Sequence, residues 1–359
     1  MAAIPSGSIV WLSFNQYEGP QSTRAARYTA TTADVNPPTV LADCSTTIQS
    51  NSESESPSIT VLNTGYYALS VGHRPINLYS NQSEPLVVKQ GYSSPPEYPY
   101  DAIQPAPDDN QVIYTIQGPS SSDYYWTTFT WFSDVPVAPS AYIGAGKLDQ
   151  TTGAGLGLVS VAQVPADTQI IYPLCVSYAG VLYYVTCDGL DQLSGTNTLY
   201  SRDVTTQLGP VPVVVATYAP GDPYPIQDGY ALEDGSLALV FADGIGAYPR
   251  RINATTGAVI DDPGITGDTL VAGEDDTTFW STDYNTGDIV AHDWSGTELS
   301  RITQAGLDSI GLYERRTYYV VRPAFAGFDL TCADPTYVVR APQWALYRFD
   351  AKSRPEQRA

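Results

Sequence analysis

Ser236-Leu-Ala-Leu-Val-Phe241, a turn at Asp243-Gly244, Tyr248-Pro-Arg-Arg-Ile-Asn-Ala-Thr-Thr-Gly257 and Ala258-Val-Ile260 follow one another directly in the chain. The first run has the length and apolar content of a short buried strand closed by turn residues. In the second, Asn253 is placed to accept hydrogen bonds from the amides of its own turn, and Gly257 supplies the positive φ that a tight corner needs. The next stretch repeats the order: Thr278-Phe-Trp-Ser281, a turn at Asn285-Thr-Gly287, Asp288-Ile-Val-Ala-His-Asp-Trp-Ser-Gly296, then Glu298-Leu-Ser300. Strand, turn, strand, Asx corner, strand is therefore a unit, and the question becomes how often it recurs.

Earlier copies are Ala145-Gly-Lys-Leu-Asp-Gln-Thr-Thr-Gly153 and Leu199-Tyr-Ser-Arg-Asp-Val-Thr-Thr-Gln207, and a late one is Ala345-Leu-Tyr-Arg-Phe-Asp-Ala-Lys-Ser353. Fainter ones lie at Ala26–Thr32 and Ile76–Ser83. The corner residues Ala30, Asn81, Asp149, Asp203, Asn253, Asp293 and Asp350 stand 51, 68, 54, 50, 40 and 57 residues apart. A period of roughly 40–50 residues with several strands per unit is that of a β-propeller. The longer spacings are read as loop insertions. Seven corners predict seven blades, with six or eight as the alternatives. The wider vocabulary agrees: 27 tyrosines, 29 glycines and 28 prolines suit short strands and tight turns. Further apolar or alternating runs fall at 8–14, 66–71, 111–116, 124–132, 169–177, 181–186, 211–218 and 317–322, and no amphipathic helix of ten or more residues is visible. The expectation is an all-β chain whose residues 1–359 form one propeller domain, with irregular insertions at about 44–58, 91–110 and 325–342.

Asn253-Ala-Thr-Thr-Gly257, Asp149-Gln-Thr-Thr-Gly153 and Leu346-Tyr-Arg-Phe-Asp-Ala-Lys-Ser353 resemble the outer-hairpin repeat of quinoprotein-like propellers, in which an aromatic strand runs through Asp-Ala-x-Thr-Gly into the next. The resemblance covers about ten residues per blade and implies the propeller fold. The quinoprotein enzymes also carry a tryptophan after the glycine of each blade. None follows Gly153 or Gly257, so the resemblance implies no quinone and no cofactor.

A net charge of −21, with three lysines beside fourteen arginines, excludes a conventional nucleic-acid binder, which needs clustered cations against phosphates. No run approaches the ~18 apolar residues of a membrane-spanning helix. The N-terminal residues show neither a basic region nor an apolar core of signal-peptide type. Cys44, Cys175, Cys187 and Cys332 lack zinc-site spacing and read as buried small hydrophobes. A two-residue turn at Ala179-Gly180 would set Cys175 opposite Tyr184.

Catalytic motifs are absent. His73 and His292 are the two histidines, with no Gly-x-Ser-x-Gly elbow and no metal-binding spacing, and both read as structural. Calcium is the one ion considered, at the acidic loops Asp261-Asp262, Asp268 and Glu274-Asp275-Asp276, whose spacing fits no known loop; no metal site is assigned. Aromatic residues are the richer material. Tyr92, Tyr98 and Tyr100 sit in a proline-rich stretch of extended type. Tyr124, Trp126 and Trp131 put aromatics on both faces of one strand, and Tyr313, Arg315 and Arg316 form a more polar cluster. These nine residues are the candidate binding positions, since Tyr, Trp and Arg mark interfaces. The tail beyond Leu346 carries Arg348, Lys352, Arg354 and Arg358 against Asp350 and Glu356, a local +2.

Two functions are compatible with these features. One is a non-enzymatic interaction or assembly module. Its concrete form is a bacteriophage virion protein of tail or capsid surface that is released by lysis and binds other subunits or a host surface glycan, with no nucleic-acid or membrane partner. The alternative is a polysaccharide lyase or glycosidase with its site at the channel mouth.

Overall fold

The computed structural model describes strands between residues 9 and 165, most of residues 170–309, and residues 319–324. Side chains are described mainly over 173–309, together with Trp126, Thr128, residues 143–147, Asp149 and Leu156. The protein is mostly β and antiparallel, and the strands follow the runs of β-branched and aromatic residues.

The chain lays down hairpin after hairpin. β1 (Ile9–Tyr17), β2 (Thr23–Thr32) and β3 (Val40–Gln49) form a meander. β4 (Pro57–Val61), β5 (Tyr67–Val71), β6 (Asn77–Tyr79) and β7 (Val87–Lys89) form a second sheet. The third contains β8 (Val112–Thr115), β9 (Tyr124–Ser133), β10 (Ser140–Asp149) and β11 (Gly155–Pro165). The fourth contains β12 (Ile170–Val176), β13 (Val181–Cys187), β14 (Asn197–Asp203) and β15 (Val213–Tyr218). β16 (Ile226–Ala231), β17 (Ser236–Ala242), β18 (Ala247–Asn253) and β19 (Val259–Asp261) make the fifth. The sixth consists of β20 (Thr269–Ala272), β21 (Thr278–Thr282), β22 (Ile289–Asp293) and β23 (Glu298–Ile302). After the short helix α1 (Gln304–Ser309), β24 (Tyr319–Ala324) returns to pair with β1, Leu12 facing Val320 and Ser13 facing Tyr319. β24 thus takes the first position in the sheet that β1–β3 begin, and the described residues hold six four-stranded sheets.

Neighbouring sheets touch in sequence. β24 lies against β4, β5 against β8, β9 and β10 against β12, β12 against β16, β18 against β20, and β20 against β24. β13 explains why these sheets stack on both faces. Its alternate residues enter two different cores: Leu182 and Tyr184 join Trp126, Ile143, Ala145, Val176 and Val204 on one side. Tyr183 and Val185 join Leu174, Leu199, Leu237, Leu239, Phe241, Ile252 and Phe279 on the other. A strand covered on both faces needs apolar residues at consecutive positions, and Val181–Val185 supplies them.

The corner residues map onto one structural place. Asp149, Asp203, Asn253 and Asp293 each end the strand in third position of its sheet, and Ala30 lies near the end of β2, also third in order. Asn81 and Asp350 fall outside the described residues. Seven corners pointed to seven blades, whereas six sheets are described, because the last described strand joins the first three instead of opening a seventh sheet. β3 runs through Cys44–Gln49 and β4 takes in Ser58, so strand occupies both ends of the stretch read as an irregular insertion at 44–58. The insertions expected at 91–110 and 325–342 lie outside the described residues.

One register differs from expectation. Cys175 faces Tyr183, not Tyr184. The turn spans three residues, closed by the Ser177 and Val181 backbones and by Gly180 donating to the Ser177 carbonyl at 2.9 Å, with Gly180 at φ +76°. A bulge between Pro173 and Cys175 shifts the register by one more residue and sets Tyr184 opposite Pro173. Cys175 and Cys187 are buried and are not joined in a disulfide.

Candidate interaction surface

The corners are built from the Asx side chains themselves. Asp203 Oδ1 accepts from the Thr205 amide at 2.8 Å and from its hydroxyl at 2.6 Å. Asn253 Oδ1 accepts from the amides of Thr255 and Thr256, both at 2.9 Å, while Gly257 donates to the Asn253 carbonyl. Asp293 Oδ1 takes the Ser295 amide and hydroxyl and the Thr297 amide. The same device closes other hairpins, at Asp234 with Ser236 and at Asp283 with Thr286. Each carboxylate satisfies amides that the reversal of the chain leaves without strand partners.

These corners also join one sheet to the next. At Gly257, φ +68°, a Cβ would stand 2.6 Å from Ala216 Cβ and 2.7 Å from the Val215 carbonyl oxygen, both in β15 of the preceding sheet. Gly296, φ +88°, stands in the same relation to the sheet before it, 2.7 Å from the Pro263 carbonyl oxygen just beyond β19. The outer corner of one sheet is thus seated on the outer strand of its predecessor.

Arginines complete the electrostatics. Arg251 bonds Asp234, Asp261 and the Ser236 hydroxyl. Arg250 pairs with Asp262 at 2.8 Å, and Arg301 bridges Asp288 at 2.7 Å and Glu298 at 2.6 Å. Hydrogen bonds hold several carboxyls below their usual range: the Thr205 hydroxyl at Asp203, the Ser295 hydroxyl at Asp293 and the Arg301 guanidinium at Glu298. At Asp234 and Asp288 burial opposes this and is outweighed by bonds from Ser236 and from Gln304 and Arg301. Asp261 and Asp262, weighed for calcium, are the partners of Arg251 and Arg250. Among the described residues no three His, Cys, Asp or Glu side chains converge as metal ligands would.

His292 is a core residue. Its ring stacks on Phe279 with centroids 5.3 Å apart, and Nε2 lies 3.1 Å from the Ser281 hydroxyl. Burial pushes its pKa below the ordinary histidine value. Tyr183 and Tyr184 are pushed up to about 12 by burial, the direction opposite to that required of a tyrosine base.

Linkage then sets the acid response. A histidine depressed in the folded state makes the native protein bind fewer protons than the unfolded chain below about pH 6.5, and the depressed carboxyls act likewise below about pH 4. Stability is therefore expected to hold at neutral pH and to fall in two stages on acidification. His292→Gln should abolish the first stage and leave the second. Urea midpoints measured from pH 8 to pH 3.5 would check this.

Trp126, one of the candidate binding positions, is 2% exposed and belongs to a core cluster. Its ring is bounded by Gly180 and by Lys147, whose Nζ sits 4.9 Å from the ring centroid. Tyr124 and Trp131 belong to β9, second in its sheet, and their side chains lie outside the described set. Tyr92, Tyr98, Tyr100, Tyr313, Arg315 and Arg316 also lie outside the described residues, as does His73.

The surface that emerges instead is aliphatic. The exposed large hydrophobic residues described are Leu156 in β11, Val211 beside and Val213 and Val214 within β15, Val259 and Ile260 in β19, and Leu299 in β23. Every one of these strands is fourth in its sheet, with a strand on one edge alone. Val211 is 82% exposed and Val213 58%. Residues 211–218 read in sequence as one of the apolar or alternating runs of a strand, with nothing to say which side of it is covered. Pro210 and Pro212 were the available signal, since proline in a strand marks an edge.

No protein-family model matches the chain, and no match is found among curated proteins. Similar solved structures are of β-propeller type. TolB from Acinetobacter baumannii is 13% identical with a TM-score of 0.39, over 82% of this chain and 63% of that one. A protein of unknown function from Bacteroides caccae is 7% identical with a TM-score of 0.45, over 82% and 93%. Prolyl oligopeptidase B from Galerina marginata is 11% identical with a TM-score of 0.40, over 88% and 43%. The chain therefore spans less than two thirds of the TolB and prolyl oligopeptidase chains. Among the described residues no helix is long and apolar enough to cross a membrane.

Proposed function

We propose that the six sheets close into a six-bladed β-propeller and that the protein is a non-enzymatic interaction and assembly module. Its concrete form is a bacteriophage virion protein, of tail or capsid surface, that holds other virion subunits or a host surface glycan. The supporting observation is the outer edge: aliphatic side chains stand in solvent on the fourth strands of four consecutive sheets, where neighbouring subunits have access. The sequential contacts of the sheets, and the pairing of β24 with β1, support closure of the ring. Asp203, Asp234, Asp288, Asp293 and Glu298 are engaged in corners and arginine pairs, the structural employment of carboxylates that an assembly module calls for. The phage assignment adds composition: arginine in preference to lysine, one methionine, and strands rich in Ser, Thr and Tyr.

Mass spectrometry of density-banded particles from the source culture tests this reading. The chain is expected there in fixed stoichiometry with other structural proteins. Its absence from particles, together with release of sugar ends from polysaccharides by the purified chain, would replace the assembly module by the lyase or glycosidase.

A further inference from the structure

The six outer strands are not equally guarded. An unpaired strand edge offers its amides and carbonyls to any other strand, and proteins blunt such edges with charge, proline, brevity or cover. β7 and β19 are three residues long. β3 contains Asp43, and β23 contains Glu298 and Arg301. β15 follows Pro212, and the Gly257 corner is seated on it at Val215 and Ala216. β11 differs from them all. At eleven residues it is the longest strand described, and no charged side chain occurs anywhere in 150–166. It has no proline before its last residue, Pro165, and among the described residues no strand lies on its outer edge. Leu156, near its start, is 52% exposed.

Bulges also blunt edges, but each of the other five fourth strands carries one, so a bulge belongs to the position and does not single out β11. β11 has two, at Leu156 and Val161, which leave unbroken runs at 157–160 and 162–165. The runs are equal in length and flank Val161. A two-fold axis at Val161 therefore sets 157–160 of one copy antiparallel to 162–165 of another, and the reverse. Such a pair makes about six to eight backbone hydrogen bonds, within the roughly five to fifteen of a typical interface. Charge selects the occupant. A cationic partner finds no carboxylate to hold along 150–166, whereas a second copy, also at −21, needs an edge that keeps like charges apart.

We infer that the outer edge of β11 is a self-association surface, on which a second copy of the chain adds its own β11 about a two-fold axis at Val161. Two four-stranded sheets become one continuous sheet. The pairing consumes both edges, so association stops at the dimer. The dimer goes beyond the virion reading and does not depend on it, because the edge is the same inside a particle or free in solution.

Sedimentation equilibrium of the full chain across the micromolar range reads the pairing. A dimer is expected, and it should tighten as salt is raised, because screening relieves the repulsion between two acidic chains. Leu156→Asp, at an exposed position, places a carboxylate opposite position 166 of the second copy, one residue from Asp167, at both ends of the pair. It should weaken the dimer at least tenfold. Leu299→Asp, at a position 54% exposed in β23, adds the same charge elsewhere and should change the dimer less than twofold. Hydrogen exchange of the amides in 157–164 should slow on dimerisation of the parent chain. A chain that stays monomeric, a dimer that both variants weaken alike, one that salt loosens, or exchange indifferent to association would overturn the inference. Each such result would leave recovery of the chain in particles untouched.

Discussion

Gly257→Ala is expected to lower the unfolding free energy by about 2–4 kcal/mol. Two effects add. The residue sits at φ +68°, where a Cβ costs about 1–2 kcal/mol. The new methyl group would also stand 2.6–2.7 Å from Ala216 and the Val215 carbonyl, a contact that no rotamer change relieves, at a cost of about 1–2 kcal/mol. Gly235→Ala separates the two, because Gly235 has φ +83° with open space around it. It should lose only the conformational part, about 1–2 kcal/mol. Urea titrations of both variants measure the difference, which is the part contributed by seating one sheet on the next. Equal losses would mean that the Gly257 corner does not transmit contact between sheets.

Phe241→Ala should have a larger effect still, about 3–5 kcal/mol. The ring is 1% exposed in the larger core. It meets Tyr218 of the preceding sheet edge to face, with centroids 5.4 Å apart, and the Arg250 guanidinium lies 5.3 Å from its centre. Truncation removes apolar burial, leaves a cavity between two sheets and exposes the buried Tyr218 hydroxyl to a void. Phe241→Leu keeps most of the volume and should lose about 1–2 kcal/mol. A Phe241→Ala loss as small as that of Phe241→Leu, read from urea midpoints, would show that the two sheets are not packed through this ring.

The corner motif was the most legible feature of the chain, and the reason is local. Asp or Asn, Thr or Ser, and Gly within five residues satisfy their own amides, so Asp203, Asn253 and Asp293 mark strand ends wherever the rest of the chain goes. Side-chain exposure had no such local source. Val213 and Val214 differ little in sequence from Val181 and Leu182, yet the first pair faces solvent while in β13 Leu182 is buried and Val181 half-buried. The difference is position within a sheet, second against fourth. Trp126 is ambiguous in sequence for the same reason: its aromatic neighbours suit either a recognition surface or a strand covered on both sides, and the packing of Lys147 and Gly180 against it is a tertiary property.

Short-range chemistry by itself determined that this chain is antiparallel β, where its outer corners turn, and that its acids outnumber its bases. The first two depend on hydrogen bonds and φ preferences within a few residues, and the third on composition alone. The tertiary structure decided the number of sheets described, through β24 returning to β1, and the location of the apolar surface, through which strand lies last in each sheet. Both depend on pairings between residues hundreds of positions apart or in separate hairpins, and no local spacing encodes them.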